Sequence, residues 1–143
     1  AACVLSDCLK TCPPSVGVEA CEALSDCLSA LGRRDEAAAA LCRSFAYGAP
    51  RAETVCRLAA LYRNTDDRQA AFWYMAALNC EGGAAGVFRE PDCMDLIPYI
   101  ELSCCYYRLG DKARAVKYHE LAKSIRPSHP SVLFNERFFG GEE

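Results

Sequence analysis

At 143 residues the chain fits one folded domain, long enough for a continuous core and too short to join an enzyme domain to an accessory one. Its 52% hydrophobic and 24% charged residues are globular in balance, and no stretch approaches the roughly 20 uncharged apolar residues that cross a bilayer. A formal net charge of -3 leaves no basic excess to neutralise phosphates, which argues against nucleic acid and anionic membranes as partners.

The chain opens Ala1-Ala2-Cys3, without an initiator Met and without a basic segment leading into an apolar one. No signal peptide is expected, and the sequence reads as a fragment of something longer. The 11 cysteines are odd in number and fall within helix-like runs rather than loops. That pattern predicts a reducing cytoplasm, with cysteine used as a small apolar packing residue.

A first helix is expected over about 1–11, ended by Pro13-Pro14. Within it Cys8 and Cys12 lie four apart and share a face, as two metal ligands must. No Cys-x-x-Cys pair and no nearby histidine accompanies them, so packing is the expected role and no metal site is assigned. Further helices are expected at about 16–31, 33–47, 51–63, 66–79, 95–109, 111–125 and 130–139, with no strands. Pro50 and Pro127 fall between them, and Pro98 and Pro130 fall in first turns, where a missing amide donor costs little.

Three turns share their punctuation: Leu31-Gly32-Arg33-Arg34-Asp35, Asn64-Thr65-Asp66-Asp67 and Leu109-Gly110-Asp111-Lys112. Glycine can take the left-handed conformation that closes one helix, and an aspartate just beyond can accept from the free amides of the next. After each turn a trio follows at steps of four and three: Ala37, Leu41 and Ser44; Ala70, Tyr74 and Ala77; Ala115, His119 and Ala122. Each trio lies on one helix face, and alanine there lets two backbones approach closely. The third turn comes late because the glycine-rich run at 80–92 is hostile to helix, and a loop insertion is expected there.

The unit 96–129 resembles the tetratricopeptide repeat, with Tyr99, Leu102, Tyr106, Gly110, Ala115, Ala122 and Pro127 at its signature positions. Ser103 stands in place of the small glycine and His119 in place of the usual aromatic. The resemblance implies an all-α fold, a right-handed stack of antiparallel helix pairs (an α-solenoid) of about seven to eight helices. One helical repeat domain over 1–143 would hold units at about 18–50, 51–84 and 96–129, with 130–139 as the terminal helix.

A narrower resemblance runs from about Ala20 to Phe139. Pro50-Arg51-Ala52-Glu53, Cys56-Arg57-Leu58 and Phe72-Trp73-Tyr74, then Gly82-Gly83, Pro91-Asp92-Cys93, Ile97-Pro98, Arg108-Leu109-Gly110-Asp111 and Pro130-Ser131-Val132-Leu133, are similar to the repeat region after the catalytic domain of bacterial family-2 glycosyltransferases. In those enzymes a mixed α/β domain binds the nucleotide sugar and a divalent metal. The chain carries no strand-rich segment and no Asp-x-Asp motif in a strand-to-loop setting, and Asp66-Asp67 fits a helix start better. Catalytic, cofactor-binding and metal residues are therefore all expected to be absent here. His119 and His129, the two histidines, are read as packing and turn residues, because no Ser-His-carboxylate set is assembled.

The first helix of each repeat lines the concave face in this family, which implies that Glu19, Glu22, Asp26, Ile97, Ile100, Cys104, Tyr107 and Arg108 face a groove, acidic at one end and aromatic at the other. Trp73 and Tyr107, displaced by one from core positions, are the aromatic groove candidates. Phe134 and Phe138 share a face and are expected to pack inward, leaving Leu133 and Phe139 at one uncovered end and Val4 at the other as candidate association surfaces. The expected function is a non-catalytic cytoplasmic module that positions a polypeptide acceptor or mediates subunit association for a bacterial glycosyltransferase. The rival is a free-standing adaptor for protein-protein interaction. Partners are a protein or peptide, with a homodimer or docking to a missing catalytic domain as forms of association.

Overall fold

Left-handed residues close three helices of the chain. Gly32 (φ 73°), Asn64 (φ 65°) and Gly110 (φ 81°) each turn the backbone back on itself. The computed structural model describes residues 13–80 and 90–139. The helix expected at 1–11 with Val4, most of the expected loop and the tail beyond 139 lie outside the described residues. Within them are seven α-helices and no strand: α1 (Pro14–Ala30), α2 (Arg34–Ser44), α3 (Ala52–Tyr62), α4 (Asp67–Leu78), α5 (Leu96–Arg108), α6 (Lys112–Ile125) and α7 (Pro130–Phe139), with a 3-10 turn at Pro91–Met94 before α5.

The helices pair as α1–α2, α3–α4 and α5–α6, and each pair packs on the next, with α7 laid on the last. At Gly32 and Gly110 the closure takes the same form, with Arg33 N bonded to Leu28 O and Asp111 N to Tyr106 O, both at 2.9 Å. The middle turn differs. Asn64 takes the place of glycine and Thr65 adds a residue before the Asp66 cap, so the turn is longer. Asp66 and Asp111 cap α4 and α6 by accepting from Gln69 N (3.1 Å) and Arg114 N (3.0 Å). At α2 the cap position is Arg33, which has no capping side chain, and Asp35 lies inside the first turn. There its charge complements the helix dipole instead.

All three trios are buried: Ala37, Leu41 and Ser44; Ala70, Tyr74 and Ala77; Ala115, His119 and Ala122. The central core joins α3 and α4 to α5 and α6 through Val55, Ala59, Ala70, Tyr74, Leu102, Cys105 and Tyr118. Small residues carry most of the close approaches, and Tyr118 fills the remaining width by stacking on Tyr99 (6.0 Å) and Tyr106 (5.6 Å). The helix expected to reach residue 47 stops at Ser44, whose hydroxyl donates to Leu41 O (2.6 Å) while residues 45–47 tighten into i to i-3 bonds.

The end of the expected loop, Pro91-Asp92, enters the 3-10 turn. The 3-10 turn buries Cys93, whose carbonyl accepts from Cys56 Sγ (3.4 Å), and the fork from Arg126 to Asp92 (2.8 and 2.9 Å) ties it to the end of α6. These bonds hold the turn against both neighbouring pairs. No helix among the described residues is long and apolar enough to cross a membrane.

A groove along the first helix of each pair

The first helices α1, α3 and α5 stand side by side and form one wall with the 3-10 turn. Three residues of α1 meet three at or in α3: Arg51 Nη1 lies 3.5 Å from Glu19 Oε1, Thr54 Oγ1 donates to Glu22 Oε1 (2.6 Å), and Arg57 Nη1 donates to Asp26 Oδ2 (2.9 Å). Steps of three and four on α1, and of three and three at α3, bring these onto facing stripes. On the other side of α3, Arg63 Nη1 donates to Glu101 Oε1 of α5 (2.7 Å).

Between these rungs runs a concavity of about 700 Å³ with Cys56, Tyr74, Cys93 and Ile97 on its floor and sides. Five carboxylates line it (Glu19, Glu22, Glu53, Glu90, Glu101) against three guanidiniums (Arg51, Arg57, Arg63). Glu22, Glu53 and Glu90 form no salt bridge among the described residues, although Glu22 and Glu90 lie within the field of Arg57; Glu53 Oε1 accepts from the Glu90 amide (3.2 Å). The field is negative enough to be felt by Arg57. Burial works against its charge, yet Asp26, Glu22 and Glu90 together hold its pKa above the ordinary value.

A second, smaller recess of about 190 Å³ opens where α5 meets α7, lined by Cys104, Tyr107, Arg108, Phe134, Asn135, Phe138 and Phe139. Tyr107 has ring centroids of Phe138 and Phe139 at 6.0 and 5.6 Å. Asn135 reaches from α7 to Ser103 Oγ and Cys104 Sγ, both at 3.5 Å, which fixes the floor. On the other side of the molecule a cleft of about 820 Å³ lies between α4 and the start of α6, with Arg68, Phe72, Lys112 and Arg114 at its edge.

Several sequence-derived placements change. Ile100 is not on the groove wall: it is buried with Leu96, Ala122 and Val132, because it points across α5 toward α6 and α7. Trp73 is half-buried against the Ala38, Leu41 and Leu58 cluster, so it seals α4 onto the neighbouring pairs and does not line the groove. Phe139 is half-buried, its ring 4.9 Å from that of His119, whereas Phe134 and Phe138 stay exposed and pair with each other at 5.6 Å. The inward face of α7 is instead Val132 and Asn135, so the expected orientation of this helix is rotated. Leu133 is exposed. Glu22 lines the groove and Arg108 the recess, whereas Asp26 lines neither; Asp26 and Arg108 are held by Arg57 and Asp67. The sequence reading missed Arg51, Arg57 and Arg63, whose spacing along 51–63 was the available signal.

His119, 1% exposed, has Glu136 Oε2 at 3.0 Å from Nε2 and no partner at Nδ1. His129 Nδ1 accepts from the Ser131 amide (3.2 Å) and so caps α7. Burial raises the thiol pKa of Cys104 and pushes Cys105 up to about 12, which disfavours the thiolate a nucleophile needs. Among the described residues no group of three or more His, Cys, Asp or Glu is gathered for a metal.

Gly110, the Asp111 cap and the buried Ala115, His119 and Ala122 all fall in one stretch that also matches a known family, described as Tetratricopeptide repeat, over residues 98–129. Residues 98–129 are similar to a tetratricopeptide repeat. The wider fold agrees. A solved structure described as the crystal structure of MamA is similar with a TM-score of 0.70 at 18% identity, covering 97% of this chain and 77% of that one. The chain is an all-α, tetratricopeptide-like solenoid, and at that identity the likeness speaks for the fold alone. No curated protein matches the chain.

Proposed function

We propose that this chain is a non-catalytic protein-binding module that holds a polypeptide along the concave face of α1, α3 and α5. The observation that carries the reading is the groove of about 700 Å³ built on the first helix of each pair, with Glu22, Glu53 and Glu90 forming no salt bridge among the described residues. Stacked helix pairs give a long, fairly rigid surface, and polar groups fixed by neighbouring helices are pre-organised for a partner.

For the parent protein we propose a bacterial, cytoplasmic family-2 glycosyltransferase, with the groove placing a polypeptide acceptor near a catalytic domain outside this chain. Holding reactants together lowers the entropic cost of reaction without adding chemical groups. Support comes from the resemblance carried by Pro91-Asp92-Cys93, Arg108-Leu109-Gly110-Asp111 and Pro130-Ser131-Val132-Leu133. A free-standing adaptor would use the same groove. The reading frame around the chain separates the two: a neighbouring segment of about 200 residues with alternating strands and helices and an Asp-x-Asp motif is expected, and its absence would leave the adaptor.

A photo-crosslinking residue tests the binding role itself. Placed at Ile97 on the groove it should capture a polypeptide partner in cells, and placed at Phe72 on α4 it should not. Adducts at Phe72 alone would remove the groove from consideration.

A further inference from the structure

The groove and the aromatic recess share one face of α5. Ile97 and Glu101 line the first, Cys104 and Arg108 the second, and steps of four, three and four keep all four on a single stripe. At a rise of ~1.5 Å per residue, Cys104 and Arg108 lie about 10 and 16 Å beyond Ile97, which an extended chain at ~3.3 Å per residue crosses in about three to five residues. The two concavities can therefore be spanned by one short segment.

Their chemistry differs in a way that selects the segment. At the groove end five carboxylates face three guanidiniums, and Glu22, Glu53 and Glu90 form no salt bridge among the described residues, so an acidic segment would meet like charge and a basic one would complete the rungs. At the recess end Tyr107 and Phe138 are 44% and 53% exposed, whereas the buried residues of α7 are Val132 and Asn135. Their rings stand 6.0 Å apart around a space the size of one large side chain. Aromatic pockets that a partner's side chain can fill and desolvate are where binding energy concentrates.

Building on the protein-binding reading above, we propose that the partner is an extended peptide segment bearing a Lys or Arg side chain at the groove end and, about three to five residues away, an aliphatic or aromatic side chain seated beside Tyr107 and Phe138. The basic group is met by Glu53 and Glu90, and the apolar group is an anchor in the α5–α7 recess.

A random dodecapeptide library panned on the chain, followed by anisotropy with a fluorescein-labelled Lys-Lys-Ala-Ala-Ala-Phe peptide and its Glu-Glu counterpart, tests this. Selected sequences should pair a basic residue with an apolar one at that spacing. Glu90→Lys and Phe138→Ser, both exposed positions, should each weaken the basic peptide about tenfold or more, while Phe72→Ser on the far side changes it less than about twofold. Helical content measured by circular dichroism should be equal in all three variants. Acidic or uncharged selected peptides that still fail on the two groove variants would overturn this inference and leave the protein-binding reading standing. Binders indifferent to both variants, or no binders, would overturn both. A dimer abolished by Phe138→Ser would assign the recess to a second copy of the chain and also overturn the inference.

Discussion

Arg108, the last residue of α5, closes a two-bond fork on Asp67, the first residue of α4, with Nε to Oδ2 at 2.8 Å and Nη2 to Oδ1 at 2.7 Å. The fork joins one helix pair to the next and takes up a charge that the sequence alone would leave free for a ligand. Hydrogen bonding to the guanidinium holds the Asp67 carboxyl below its ordinary range and in turn raises Arg108. Asp67→Asn keeps the shape and removes the charge. It should lower stability by about 1 kcal/mol in urea unfolding, above an ordinary exposed pair because the geometry is bidentate. A loss under ~0.2 kcal/mol would mean the fork contributes nothing between pairs.

Gly17 sits inside α1 with the ring of Tyr47 against it, and an added Cβ would lie 2.5 Å from two ring carbons. Alanine is the better helix former by about 1 kcal/mol, whereas a forced shift of a packed ring costs about 1–3 kcal/mol. Gly17→Ala should therefore be net destabilising. In Tyr47→Ala, which removes the ring, the same change should become stabilising, and thermal unfolding of the four-member cycle reads the reversal of sign.

Leu102 is fully buried at the meeting of α4, α5 and α6. Leu102→Ala should cost about 2–5 kcal/mol, and a change below ~0.5 kcal/mol would put the core elsewhere.

Glu136 of α7 accepts from Lys123 Nζ (2.7 Å) and faces His119 Nε2, and these two, in that order, hold its carboxyl below its ordinary value of 4.5. A folded-state pKa lowered in this way contributes stability that is complete above the unfolded value and is lost as pH falls through the folded one. Because α7 has Val132 and Asn135 as its buried residues, it should detach before the other helices in acid. Amide exchange of 130–139 followed from about pH 6 to pH 3 should accelerate below the ordinary carboxylate range, and Glu136→Gln should abolish that step. An unchanged acid profile in the variant would deny Glu136 this role.

Local signals in the chain were sufficient for the pairs. Gly32 and Gly110 closed their helices, Asp66 and Asp111 capped the next, and each small-residue trio was buried, because these are interactions within one or two turns. Placement across pairs was harder to read. Ile100 and Trp73 differ from true groove residues only by which neighbour their face meets, and that depends on the packing angle between pairs. The rotation of α7 has the same origin: Phe134 and Phe138 look like an inward stripe at a four-residue step, yet the bonds of Asn135 to α5 and of Glu136 to α6 turn a different face to the stack. The groove's ion pairs were hidden for a further reason, since Asp26 and Arg57 lie 31 residues apart.

The most direct test of the concave face as the binding surface is methyl NMR of the chain titrated with the basic Lys-Lys-Ala-Ala-Ala-Phe peptide. Ala60 and Ile97 line the groove, while Ala113 and Val116 lie on α6 away from it. Saturable shifts at Ala60 and Ile97 with Ala113 and Val116 unmoved are the expected result; shifts confined to Ala113 and Val116 would contradict a partner held by the first helices.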